Sequence, residues 1–248
     1  MVGWSVLAAV VLSACGHLDF DPTALAPADG SGSGSGPACL ASYELCDGFE
    51  GSSFAPVWTV DGDVTLDTTV AHRGLSSAHV HGTAIPVHTD SYILLYEDTT
   101  LPEPATTFYV RAWVRLAEMP VNNMDLIVAE QSNGSPEGDS LTVRPTDLAI
   151  YSQFADVAHD NMAMPPLDTW FCVLWTVARS TTSTGSIALA GDPPPLMIQA
   201  VQTDASPAID RMTFGISFAA PNIDNAQPAI DLWFDDLIIA SFPIACTD

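Results

Sequence analysis

The chain has 248 residues, 30 of them acidic and six basic, all six Arg, for a formal net charge of -24. Such a surface repels phosphate backbones, which excludes nucleic acid as a partner and disfavours anionic polysaccharides and anionic lipid faces. The hydrophobic content of 48% supports a sizeable core and argues against a chain disordered throughout, while the carboxylate excess suits Ca²⁺, which takes oxygen ligands.

The first element in chain order is an apolar run at residues 6–12 (VLAAVVL). It is too short to span a bilayer and fits a signal-peptide core. It ends in Leu12-Ser13-Ala14-Cys15, which resembles the lipobox of bacterial lipoproteins, although no Lys or Arg precedes the run. The resemblance implies that residues 1–14 are removed as a signal peptide. Cys15 is then lipidated and becomes the membrane anchor. Gly16 stands where an Asp would resemble an inner-membrane retention signal, so the outer membrane is the expected address. Residues 15–38 carry Pro22, Pro27, Pro37 and the repeat SGSGSG, and read as a flexible tether. Residues 39–248 are expected to form the folded domain, of a size that one all-β sandwich can fill.

Within it, CDGFEG at residues 46–51 reads as an acidic, aromatic first strand. Residues 58–66 (WTVDGDVTL) alternate around Asp61-Gly62, a hairpin signal. Strands follow at 71–80 after a turn, then at 92–96, 108–116, 125–129, 141–144, 148–154, 170–178, 186–190, 197–201, 211–218 and 232–240. In FYVRAWVRL, Phe108, Val110, Ala112, Val114 and Leu116 share one face, and Tyr109, Arg111, Trp113 and Arg115 the other. Turn residues separate nearly all of these runs and no helical period is sustained. Many short strands at regular spacing predict a two-sheet antiparallel β-sandwich of jelly-roll type. The last strand, AIDLWFDDLIIA, is expected to pair with the first, so that the two ends of the chain meet.

With Cys15 assigned to lipid, Cys39, Cys46, Cys172 and Cys246 remain, an even number that points to two disulfides in an exported protein. Pairing of the end strands brings Cys46 near Cys246, with Cys39–Cys172 as the second bond. A local Cys39–Cys46 loop with Cys172–Cys246 is equally allowed. No CxxC pair or His at ligand spacing suggests zinc at these Cys.

The order FE, VAHRGLSS, FYVRAWVRL, WFCVLW, MTFGISF and WFDDLIIA resembles the concanavalin A-like lectin/glucanase group, LamG-type jelly rolls in particular, over residues 46–240. Galactose-binding-like carbohydrate modules share the FE and DD ends but are usually shorter. The resemblance implies a structural calcium ion shared by Glu50 and Asp235 or Asp236, with Asp47 near. Carboxylates gathered at a strand pair repel unless a cation sits between them. On a strand of period two, Asp235 and Asp236 face opposite sides, so one at most should face the core.

The resemblance also implies a sugar-binding concave sheet. Arg111, Trp113 and Arg115, with Tyr151 and Gln153 on a later strand, supply the stacking surface and donors that a neutral glycan needs. Catalysis finds less support. Glu130 stands alone, Glu137-Gly138-Asp139 reads as a turn, and no paired acids, lyase set or nucleophile elbow is visible. His79-x-His81 with His88 could hold a transition metal. The expected function is glycan binding or adhesion by a lipoprotein of the cell envelope. The alternatives are a polysaccharide-acting enzyme (hydrolase or lyase) and a structural or protein-interaction module.

Overall fold

The computed structural model describes residues 39–101, 107–132, 138–152, 157–161, 164–178, 182–190, 196–204 and 209–246. The signal, Cys15, the tether and Gln153 lie outside these residues. Fifteen strands are formed: β1 (Leu45–Asp47), β2 (Thr59–Asp61), β3 (Val64–Asp67), β4 (Ser77–Gly82), β5 (Ser91–Glu97), β6 (Thr107–Leu116), β7 (Met124–Glu130) and β8 (Gly138–Val143) lead, followed by β9 (Leu148–Ser152), β10 (Val157–Asn161), β11 (Phe171–Ala178), β12 (Thr182–Ala190), β13 (Leu196–Asp204), β14 (Arg211–Phe218) and β15 (Ile230–Ala240). Among the described residues, one 3-10 turn at Ala220–Asn222 is the sole helical piece.

All pairings between these strands are antiparallel, and they make two sheets. The first runs β13-β12-β11-β6-β15-β4-β3 with β1 also on β15, and the second runs β10-β9-β8-β7-β14-β5-β2. The fold is therefore an all-β sandwich. The end strands pair as expected, with Leu45 opposite Ile239 and Asp47 opposite Leu237.

Alternation decides which side of each strand faces the other sheet. In β6 the inward set Phe108, Val110, Ala112, Val114 and Leu116 is at most 1% exposed. Burying each of its larger members contributes roughly 1.5–3 kcal/mol. Phe214 of β14 meets Phe234 of β15 edge to face at 5.7 Å across the sandwich, and Trp58 meets Phe214 at the same distance. These rings join the two sheets in one core.

Two expectations are corrected. The Asp61-Gly62 turn forms, with Gly62 at φ 85°, but it does not close a hairpin. Strand β2 pairs with β5 in the second sheet and β3 with β4 in the first, so the turn is a corner between layers. The strand read at residues 148–154 pairs through 148–152 with β10, a strand that the apolar pattern of the sequence did not reveal.

The disulfides are Cys39–Cys46 and Cys172–Cys246, the local-loop alternative. The first closes a short loop against β1, and the second ties the chain end to β11 on the outer side of β6, where Cys172 stands opposite Trp113.

Candidate functional site

The acid pair of β15 is buried on both counts: Asp235 and Asp236 are each 0% exposed. Period-two alternation fails here because β15 shifts register against β6 between Asp235 and Ile238, and Asp236 takes φ 49°. A bulge of this kind puts both side chains on the Trp113 side of the sheet, beneath the loop that carries His72. The Oδ2 of Asp235 accepts the backbone N–H of His72 at 2.8 Å and of Arg73 at 3.2 Å, and its Oδ1 accepts the N–H of Asp236 at 2.8 Å. Burial, with the charge of Asp236 second, pushes the Asp235 carboxyl up to about 7. Asp236 Oδ2 contacts His72 Nδ1 at 2.6 Å, while its Oδ1 is buried with no hydrogen-bond partner. That orphan oxygen beside a second carboxylate suits an oxygen-seeking cation.

Glu50 and Asp47 do not converge with this pair. Glu50 accepts the Leu75 N–H with both oxygens, at 2.9 Å each. Gly74 is required beside it, because its φ is 68° and a Cβ there would lie 1.9 Å from Glu50 Oε1. Asp47 accepts the N–H of Phe49 and the indole N–H of Trp58, both at 2.7 Å. Loop amides and an indole thus take the oxygens that the sequence assigned to one ion. The loop of residues 72–75 is nonetheless shared by Glu50 and Asp235.

Of the five residues proposed for a glycan face, the four that the structure describes do not share one. Arg111, Trp113 and Arg115 lie on β6 in the first sheet, and Tyr151 lies on β9 in the second. Arg111 is 7% exposed and donates to the Ala245 carbonyl. Trp113 is stacked under His72 with ring centroids 3.8 Å apart. Arg115 pairs with Asp168 at 3.1 Å and sits over the Trp233 ring at 4.9 Å. Arg111 and Trp113 are thereby covered by the chain's own tail and loop.

The outer face of the second sheet holds an open pocket of about 280 Å³, lined by Asn123, Asp125, Thr142, Arg144, Tyr151 and Ser217 among others. Register explains the assembly. Tyr92 stands opposite Ser217, Ser217 opposite Asp125, Asp125 opposite Thr142 and Thr142 opposite Ala149, which makes one row across five strands. In the next row Tyr96 faces Thr213, Val128 faces Ser140, and Ser140 faces Tyr151.

Asp125 accepts the hydroxyls of Ser140 at 2.8 Å and Thr142 at 2.6 Å, and burial pushes its carboxyl up despite them. Arg144 is held by both oxygens of Asp147, at 2.5 and 2.7 Å. Tyr92, opposite Ser217, is 48% exposed. Of these residues the sequence reading had singled out Tyr151. The alternating polar set of β7 and β8 was the signal for the rest, but alternation says nothing of which sheet a face belongs to.

His79 and His81 lie on β4, and Asp231 joins them from β15; the exposed His88 is not part of this group.

No protein-family model matches the chain, and no curated protein matches it significantly. Among solved structures the chain is similar to a cellulose-induced protein, with TM-score 0.65 and 21% identity over 82% of this chain and 100% of that one. It is also similar to botulinum neurotoxin type C, which depends on interaction with two ganglioside molecules to enter cells, with TM-score 0.51 and 14% identity over 76% of this chain and 43% of the other. The binding domain of botulinum neurotoxin DC in complex with sialylT is a third, with TM-score 0.50 and 15% identity over 76% and 43%. The chain spans less than half the length of the two toxin chains. These likenesses establish the β-sandwich fold.

Proposed function

We propose that the chain is a glycan-binding module of the concanavalin A-like group, and that it takes a neutral sugar in the pocket on the outer face of the second sheet. The observation that carries this reading is the pocket itself: a concave site where Tyr151 stands beside hydroxyl, amide and carboxylate groups, with Tyr92 opposite the lining residue Ser217. A sugar offers apolar C–H faces to a ring and hydroxyls to such donors and acceptors. The toxin neighbours, described with gangliosides and with sialylT, support a carbohydrate partner in general. The net charge of -24 favours a neutral one. Among the described residues that line the pocket Asp125 is the one carboxylate, whereas hydrolysis by paired acids needs two. Binding is therefore the reading, ahead of an enzyme or a purely structural module.

The two disulfides belong to an oxidising compartment. Among the described residues no helix is long and apolar enough to cross a membrane. Lipidation of Cys15 and display from the outer membrane on the 15–38 tether complete the proposal. Calcium enters it as a structural ion at Asp235 and Asp236, supported by the unpartnered Asp236 Oδ1.

The test is a glycan array probed with the purified protein in calcium or in chelator, with neutral and sialylated sugars side by side. Retention of a neutral glycan, lost in a Tyr92→Ala/Tyr151→Ala double variant, is the expected result. No binding to any sugar would sink the function, and a melting temperature indifferent to chelator would remove the ion.

A further inference from the structure

We infer that His79, His81 and Asp231 form a three-ligand site for Zn²⁺ on the outer face of the first sheet. The site is independent of the glycan pocket, which lies on the other sheet.

Two strands build it. His79 and His81 are separated by one residue on β4 and so project from the same face, while Ala78 and Val80 between and beside them are 0% exposed in the core. In the neighbouring strand β15, Asp231 stands directly opposite His81 and Trp233 directly opposite His79. Side chains opposed in an antiparallel pair are within contact distance. The three ligands are therefore presented by paired backbone rather than by a loop.

The side chains converge. His79 Nε2 and His81 Nδ1 each lie 2.7 Å from the same oxygen, Asp231 Oδ1. A ring nitrogen directs its proton and its lone pair along the same axis, so two nitrogens aimed at one point define a place for a cation. With Zn–N and Zn–O bonds of about 2.0–2.2 Å, tetrahedral ligand atoms stand about 3.3 Å apart. Opening the two contacts by roughly 0.6 Å, a small side-chain rotation, makes the room.

The rings are also held in place. His79 stacks on Trp233 with centroids 4.8 Å apart and planes 11° from parallel. The Trp233 indole N–H donates to Asp67 Oδ2 at 2.9 Å. Support of this type around first ligands orients them and strengthens binding.

Charge and access agree. The His81 ring feels Asp63 and Glu118 as well as Asp231, and Glu118 Oε1 accepts the Asp231 N–H at 3.0 Å. The nearby cation Arg115 is engaged by Asp168. Side chains of His79, His81 and Asp231 are 23%, 36% and 33% exposed, so an ion can reach them and water can take the fourth position. Two imidazoles with one carboxylate select a late first-row dication over Ca²⁺ or Mg²⁺.

The experiment uses the full chain without a histidine tag and with Cys15→Ser, since Cys15 is the one Cys outside the two disulfides. After chelator and dialysis, Zn²⁺ is titrated calorimetrically and Co²⁺ by its visible absorption. One Zn²⁺ per chain is expected, with Co²⁺ bands of four-coordinate intensity. His79→Ala, His81→Ala and Asp231→Asn should each weaken binding by more than the about 10-fold that a lost supporting contact costs. His88→Ala should leave it unchanged, and a large excess of Ca²⁺ should not compete. Absence of saturable Zn²⁺ uptake, or uptake that survives all three substitutions, would overturn the site. If a variant fails to melt cooperatively, the imidazole NMR signals of His79 and His81 in the unaltered site decide: they must move on Zn²⁺ addition, and static signals refute the proposal.

Discussion

Asp236 Oδ2 meets the Nδ1 of His72 at 2.6 Å, although the two residues are 164 positions apart. His72 is in turn stacked on Trp113 and meets Trp170 edge to face at 5.7 Å. One imidazole thus links the last strand, the long strand β6 and the segment before β11. Removing it leaves a fully buried carboxylate without its donor, a change that costs about 3 kcal/mol. His72→Ala should lower the unfolding free energy by that amount, and His72→Gln, which keeps a donor, by less. Equal losses in urea unfolding would show that the hydrogen bond contributes little beside the stack.

The same cluster predicts a pH dependence. The Asp235 carboxyl has a folded-state value of about 7 against 3.8 as its ordinary value. Between these limits the folded chain holds a proton that the unfolded chain has released, so stability falls as pH rises through the window. Below 3.8 both states are protonated, and above 7 both are ionised, so the contribution is flat on either side. Each unit of difference is about 1.4 kcal/mol, which makes the full effect a few kcal/mol. In calcium-free buffer, Asp235→Asn should be less pH-sensitive than the parent over that range. Parallel stability profiles for the two proteins would refute the assignment.

How much of the fold is legible in the sequence depends on the range of the interaction. Local alternation was enough to orient β6, whose inward set Phe108 to Leu116 is the buried one, and the apolar runs of β14 and β15 located those strands. The pairing of the chain's two ends was also readable, since an acidic aromatic start and an acidic finish frame the fold. Alternation stops at the single strand, however. Arg111 and Tyr151 both project outward, yet from different sheets, because only strand order assigns a face to a layer. The Asp61-Gly62 turn was recognisable, but its role as a corner depends on β5 and β4, which lie later in the chain. That Asp236 shares the face of Asp235 needed a bulge, a backbone event that a regular two-residue period conceals. Asp231 escaped the reading of His79 and His81 because cross-strand register brings it in from about 150 residues away.

The two disulfides should differ in worth. Cys172–Cys246 closes a separation of 74 residues and Cys39–Cys46 one of seven. Loop-closure entropy gives roughly 4 kcal/mol for the first and roughly 2 kcal/mol for the second. The longer bond also holds the tail from which the Ala245 carbonyl accepts Arg111. Replacing Cys172 and Cys246 together by Ser should lower the melting temperature more than replacing Cys39 and Cys46. The opposite order in calorimetric melting would mean that the tail is secured by other contacts.

Trp113 and Tyr92 separate stability from recognition most directly. Trp113 lies beneath His72 at 3.8 Å, so its ring faces protein rather than solvent. Tyr92 is 48% exposed beside Ser217 and Asp125 in the row that crosses the second sheet. Trp113→Ala removes a packed indole and its stack, a loss of about 3–5 kcal/mol in unfolding free energy. It should leave glycan affinity unchanged in the molecules that remain folded. Tyr92→Ala removes an exposed ring with little packing and should cost less than about 0.5 kcal/mol of stability. It should weaken a stacked sugar by about 1 kcal/mol, close to fivefold in Kd. Calorimetric titration of the two variants at a temperature where both are folded reads both effects. Loss of sugar binding in Trp113→Ala with retention in Tyr92→Ala would move the recognition surface back to the first sheet.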